Sequence, residues 1–160
     1  MAQATAVVIT VSDGVARGER VDESGPAVAG VLTTNDFDVT LRVVADERPD
    51  IERALRDEAG RCALIVTTGG TGFAVRDVTP EATKAVIERD APGLAEAMRA
   101  GGRASTPFAD LSRGVCGIVG STLVVNLPGS VRGAVESLEA IVDVLPHALE
   151  HLRGGTGHPG

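Results

Sequence analysis

Two short stretches of this chain carry residue types suited to handling phosphate. The run Thr67-Thr-Gly-Gly-Thr-Gly72 follows an apolar strand-like segment, Ala63 to Val66. Glycines at 69, 70 and 72 admit positive φ and let backbone N–H groups approach an anion with no Cβ in the way. Thr67, Thr68 and Thr71 add hydroxyl donors. Four residues on, Arg76-Asp77 precedes Thr79-Pro80-Glu81, a helix start with Thr at the N-cap and Pro at the first turn. An arginine matches phosphate oxygens with two donors, and a carboxylate beside phosphates holds a divalent cation or manages a proton. The alternative for Asp77 is an Asx-type turn on its own backbone. Asp46, just beyond the strand Phe37 to Val44, is a loop carboxylate by type and a metal or catalytic candidate by position. Neither a Gly-Lys-Ser/Thr phosphate loop nor a Gly-x-Gly-x-x-Gly after the first strand is present.

The elements that position these residues alternate between strand and helix. Strands are expected at Ala6–Val11, Phe37–Val44 and Ala63–Val66, with a hairpin formed by Val115–Val119 and Thr122–Asn126 across Gly120-Ser121. Helices are expected after Ser24 as N-cap, from Pro49 to Gly60, from Thr79 to about Asp90, and from Pro92 to Arg99 with Gly101-Gly102 as terminator. The stripe Val131, Ala134, Val135, Leu138, Ile141, Val142 and Leu145 predicts the longest helix, interrupted by Pro146 before a last helix through Leu152. The expected fold is α/β: a three-layer, doubly wound, mostly parallel sheet with helices on both faces and one antiparallel hairpin. It is read as a single domain over 1–153 with a disordered tail at 154–160. In such sheets ligands collect outside the carboxyl ends of the strands. The segments ending there are Ala45-Asp46-Glu47, Thr67 to Gly72 and Asn126-Leu-Pro-Gly-Ser130.

Composition narrows the function. Across 160 residues there is no Trp or Tyr and only three Phe, so no aromatic platform for single-stranded nucleic acid is expected. The formal net charge of −7 disfavours duplex nucleic acid and anionic membranes. Lys84 is the single lysine, so anion binding must rely on arginine and backbone amides. Cys62 and Cys116 sit in apolar runs and read as buried free thiols in strands. His147, His151 and His158 have no third metal ligand nearby and read as surface or packing residues. No basic leader and no apolar span near 18 residues is present, so a cytoplasmic protein is expected.

Four blocks together resemble the molybdenum cofactor biosynthesis family that includes molybdopterin adenylyltransferase, the Mog and MoaB type. They are Thr10-Val-Ser-Asp13 with Asp22-Glu-Ser-Gly-Pro26; Thr67 to Gly72 with Arg76 to Thr83; Thr106-Pro-Phe-Ala with Leu111-Ser-Arg113; and Gly120-Ser-Thr-Leu with Asn126 to Ser130. The resemblance implies a homotrimer in which the terminal phosphate of molybdopterin attacks the α-phosphate of Mg-ATP, yielding adenylyl-molybdopterin and pyrophosphate. It implies Asp46 and Asp77 as catalytic residues and Mg²⁺ ligands. Thr68, Gly69, Gly70, Thr71, Gly72 and Arg76 would bind phosphate or nucleotide. Ser12, Asp13, Ser112, Arg113, Asn126, Pro128, Gly129 and Ser130 would bind the pterin substrate. Hand-over to a molybdate-insertion protein is expected from the pathway. In a trimer, apolar helix surface such as Leu94 and Met98 would be covered. Two other readings stand beside it: a catalytically weak MoaB-type pterin-binding or scaffold module, and the related domain of molybdate-inserting and competence-damage proteins.

Overall fold

A computed structural model describes residues 3–154. β1 (Ala4–Val11), followed by the single turn α1 (Asp13–Ala16), lies between β2 (Phe37–Val44) and β3 (Leu64–Thr68), parallel to both. β6 (Thr122–Leu127) pairs in parallel with the far side of β3. β5 (Cys116–Val119) turns back antiparallel against β6, and the two-residue β4 (Arg89–Asp90) closes the edge against β5. The strand order is therefore β2-β1-β3-β6-β5-β4.

The strands alternate their side chains between two apolar layers, as a period of two requires. Ala6, Val8, Leu64, Val66, Leu123 and Val125 face one layer. There they meet α2 (Ser24–Thr34), α5 (Pro92–Arg103), α6 (Val131–Glu139) and α7 (Leu145–Leu152) through Val28, Leu32, Met98, Leu138 and Leu145. Val7, Ile9, Ile65 and Val124 face the other, against Ile51 and Leu55 of α3 (Arg48–Glu58) and Ala82 and Val86 of α4 (Thr79–Val86). With all five residues of β3 buried, the strand that delivers the glycine run is held from both faces. Truncating a side chain such as Ile65 to Ala there costs about 2–5 kcal/mol.

Several local expectations are corrected by long-range contacts. Ser24 does not cap α2; it is the helix's first residue, and its hydroxyl bonds to that of Thr68 at 2.9 Å. Asp22 accepts from Gly25 N instead, at 3.0 Å. Thr79 likewise opens α4 rather than capping it, and its hydroxyl donates to Gly69 O at 3.0 Å. α4 stops at Val86, because Ile87 turns extended and Arg89–Asp90 join the sheet. Gly101 and Gly102 do not end α5. A Cβ on Gly101 would lie 2.8 Å from Ala140 Cβ, and one on Gly102 at 2.8 Å from Ala109 Cβ, so the glycines let the helix pack closely. Pro146 opens the last helix, α7, which ends at Leu152 as expected; the break in the long stripe falls earlier, after Glu139. Cys62 precedes β3 rather than lying in a strand, although it is buried as expected. Met98 is buried, and Leu94 is partly buried against the same core. The tail expected to be disordered lies, from residue 155 onward, outside the described residues, as does His158.

Candidate active site

The glycine run turns sharply at the carboxyl end of β3. Gly69 and Gly70 adopt φ of +94° and +69°. A Cβ on Gly69 would collide with Val11 O, and one on Gly70 with the Thr79 hydroxyl, so both positions require glycine on two counts. The carbonyls of the turn are tied back into the protein. Gly69 O accepts from the Thr79 hydroxyl and Gly70 O from Thr79 N; Thr71 O accepts from Arg113 N and Gly72 O from Arg113 Nε. In a trans peptide the N–H points opposite to the C=O. The N–H groups of Gly70, Thr71 and Gly72 are thereby directed away from these partners, and among the described residues no acceptor is hydrogen-bonded to them. Gly69 N is spent on Leu127 O at 3.1 Å.

Two clefts open on either side of this turn. The first, roughly 410 Å³, lies between α5, the 3₁₀ turn Pro107–Leu111 and α6, and is walled by Ala95, Met98, Phe108, Leu111 and Pro128 with Ser112 and Ser137 among them. The second, roughly 420 Å³, lies over the ends of β1 and β3 and the start of α2, and is lined by Thr10, Ser12, Arg20, Asp22, Asp46 and Thr68. Gly70, Asp77, Gly129 and Ser130 line both. The shared wall exists because β6 pairs with β3: the backbone after β6 lies so close to the turn that a Cβ on Gly129 would be 3.2 Å from Gly69 Cα. Ser130 caps α6 by accepting from Gly133 N at 3.1 Å, so the helix's positive end sits at the same junction.

Asp46 and Asp13 are locked reciprocally. Asp13 N donates to Asp46 Oδ2 at 2.8 Å, and Asp46 N to Asp13 Oδ1 at 3.0 Å. Asp46 Oδ1 is turned toward Gly70, whose added Cβ would lie 3.4 Å from it. Burial pushes the Asp46 carboxyl above its ordinary range, and the charges of Asp13 and Asp77 add to that. Asp13 is held low, chiefly by the Arg76 guanidinium. Asp77 accepts from Ala74 N at 2.9 Å, three residues upstream rather than in an Asx-type turn, and lines both clefts.

The predicted site residues do not all converge. Thr68, Gly69, Ser12 and Asp46 meet in the second cleft, and Thr71, Gly72, Ser112 and Pro128 in the first. Ser12 thus stands apart from Ser112, although both were expected in one pocket. Arg76, Asp13 and Arg113 line neither cleft. Arg76 donates to both carboxylate oxygens of Asp13, to Glu47 and to Asp46 O. Arg113 pairs with Glu81. Asn126 lines the first cleft, yet it is 1% exposed and its amide is committed to Thr67, Thr83 and Val115 N, so it also braces β6, β3 and α4. Thr10 and Asp22, bonded at 2.8 Å, were not singled out; the Asp22-Glu-Ser-Gly-Pro26 block was the available signal. Phe108, one of three phenylalanines, was missed as a wall of the first cleft. The cysteines stay out of the chemistry: burial pushes the Cys116 thiol up to about 12 and the Cys62 thiol up to about 11. His147 and His151 meet on α7 with their rings tilted by 58° and centroids 4.4 Å apart.

This combination defines a doubly wound α/β domain with paired clefts across an amide-rich turn. The chain belongs to the probable molybdopterin binding domain family, whose model matches residues 7–147. It is 40% identical over 152 residues to molybdopterin adenylyltransferase of Helicobacter pylori strain J99, covering 92% of this chain and 86% of that protein. It is 42% identical over 151 residues to the molybdenum cofactor synthesis protein cinnamon of Drosophila melanogaster, of whose length the match spans only 25% against 92% of this chain. The crystal structure of the molybdopterin biosynthesis enzyme MoaB from Thermus thermophilus superposes with a TM-score of 0.89 at 51% identity, covering 94% of this chain and 97% of that one.

Proposed function

We propose that this protein adenylylates molybdopterin, transferring AMP from ATP to the pterin's terminal phosphate with release of pyrophosphate. The observation that carries the reading is the shared wall. A molecule in each cleft meets the other at Gly70, Asp77, Gly129 and Ser130, beside the unbonded amides of the turn and the N-terminus of α6. The apolar first cleft suits a flat heterocycle, with Ser112 and Ser137 for its polar edge. The hydroxyl- and carboxylate-lined second cleft suits a ribose and phosphates.

The reaction needs two polyanions in line. A phosphate oxygen of the pterin forms a bond to the α-phosphorus, and the bond from that phosphorus to the α–β bridging oxygen breaks. N–H donors of Gly70 to Gly72 offset the charge that builds on the transferring group, and holding both reactants removes their encounter entropy. Asp46 and Asp77 fit a magnesium ion: their mutual repulsion is what a cation relieves, and Mg²⁺ is commonly held by one or two carboxylates plus substrate phosphates. Bound there, the ion supplies positive charge against the triphosphate. The same family reading carries a homotrimer, a cytoplasmic location and hand-over of the product to a molybdate-inserting protein.

The test is pyrophosphate release from ATP that depends on added molybdopterin. Asp46→Asn and Asp77→Asn, checked for folding, are each expected to lose about a hundredfold or more. Unchanged transfer in both removes the roles assigned to them, and binding of both ligands without turnover by the wild type leaves a binding module.

A further inference from the structure

Arg113 sits between the first cleft and the loop that carries Asp77, and its hydrogen bonds go to that loop. Its backbone N–H donates to Thr71 O at 2.8 Å, its Nε to Gly72 O at 2.8 Å and its Nη2 to Asp77 O at 2.7 Å. Nη1 and Nη2 also meet the two carboxylate oxygens of Glu81, at 2.8 and 3.2 Å. The acceptors on the loop are its two ends: the chain leaves at Gly72, makes an excursion, and returns at Asp77. Within it, Asp77 N donates to Ala74 O at 3.0 Å and the Asp77 carboxylate takes Ala74 N.

Apolar packing does little to hold the excursion, since Phe73 is 71% exposed and Val75 is 96% exposed. Polar contacts fix it instead, through Arg113 at the base and Arg76 farther along. Glu81, in the first turn of α4, aims the guanidinium fork. A guanidinium presents its donors in one rigid plane, so a single side chain can bridge two carbonyls and a carboxylate; an ammonium on a flexible stem cannot reproduce that geometry. On the other side, Arg99 donates to Ser112 O and Gly114 O, the carbonyls flanking Arg113. The segment that supplies Ser112 to the first cleft is thus braced as well.

We propose that Arg113 is a positioning residue for the transfer reaction: by pinning Gly72 O and Asp77 O it sets the Asp77 carboxylate at the junction of the two clefts, with Glu81 acting through it. This rests on the reading of Asp77 as a participant in transfer. Arg113 touches no reactant, so its loss is read as a fall in kcat with KM for ATP nearly unchanged.

The experiment is a double-mutant cycle on molybdopterin-dependent pyrophosphate release, using Arg113→Lys, Asp77→Asn and both together, with melting temperatures recorded. Arg113→Lys is expected to lower kcat about 10- to 100-fold, the range for residues that orient metal-binding groups. In the Asp77→Asn background the same change is expected to cost less than about twofold, because the group it positions is gone. Glu81→Gln, which keeps one acceptor and removes the charge, is run through the same cycle and is expected to follow Arg113→Lys with a smaller loss. It also serves if Arg113→Lys does not fold. A loss of equal size in both backgrounds overturns the positioning role while leaving Asp77 its part. Unchanged transfer in Asp77→Asn instead overturns the reading of Asp77, and the positioning role with it.

Discussion

The two clefts are nearly equal in volume and opposite in chemistry. The first is built from helix faces, Ala95 and Met98 on α5 and Ser137 on α6, so its shape is set by packing. The second is built from strand ends and loops whose positions are set by hydrogen bonds: Thr10 to Asp22, Ser24 with Thr68, Asp13 with Asp46. Size does not sort two reactants between them; lining does. The shared turn then makes the pair more than the sum, since anything that moves Gly70 or Asp77 is felt on both sides.

Gly70→Ala tests the shared wall and carries the largest expected effect. A non-glycine residue at φ +69° costs roughly 1–2 kcal/mol in backbone alone, and the new Cβ must also displace the Thr79 hydroxyl that ties Gly69 O. Affinity for both ligands is expected to fall together with the melting temperature, as read by calorimetry with each ligand. Weakening of one ligand alone would break the picture of a common turn.

The next pair separates the clefts. Phe108→Ala is expected to weaken the pterin roughly three- to tenfold, the scale of about 0.5–1.5 kcal/mol for an aromatic contact, with KM for ATP unchanged. Asp22→Asn should do the reverse, because its carboxylate sets the Thr10 hydroxyl and Gly25 N at the second cleft. Crossed effects would mean that the ligands are assigned the wrong way round.

A smaller effect concerns stability. The folded-state carboxyl of Asp46 is raised by burial, so the native chain binds more protons than the unfolded one across the window just above the ordinary carboxylate range. Stability therefore falls as pH rises through that window, and the penalty persists at neutral pH. Asp46→Asn, measured without magnesium, is expected to melt at or above wild type at about pH 7 and to lose that advantage near about pH 3, below the ordinary carboxylate pKa. Arg76→Ala closes the series. Its ion pairs to Asp13 and Glu47 are exposed, so a near-wild-type melting temperature is expected.

Much of this fold was legible in the chain because it is written locally. The all-apolar β3, the hairpin across Gly120, and the Pro starts of α3 and α5 needed no distant partner. The glycine turn and Asp77 were legible for the same reason. What escaped depended on which strands become neighbours. Ser24 looks like a cap until Thr68, 44 residues away, takes its hydroxyl. The bracing roles of Asn126 and Arg113 show only once Thr67, Thr83, Gly72 and Asp77 are placed beside them. The division into two clefts was illegible altogether, because it depends on β6 lying against β3 and bringing Gly129 to Gly69.

The close approach at Gly101 and Gly102 has a consequence for how the first cleft is sized. With Ala140 and Ala109 as the opposing surfaces, the distances from α5 to its neighbours are set by hydrogen atoms where an alanine would place a methyl. Gly102 itself lines the cleft, whereas Gly101 does not. Enlarging Gly101 would therefore have to push α5 and Ala140 apart, and so act on the spacing beside the cleft from a position outside its lining.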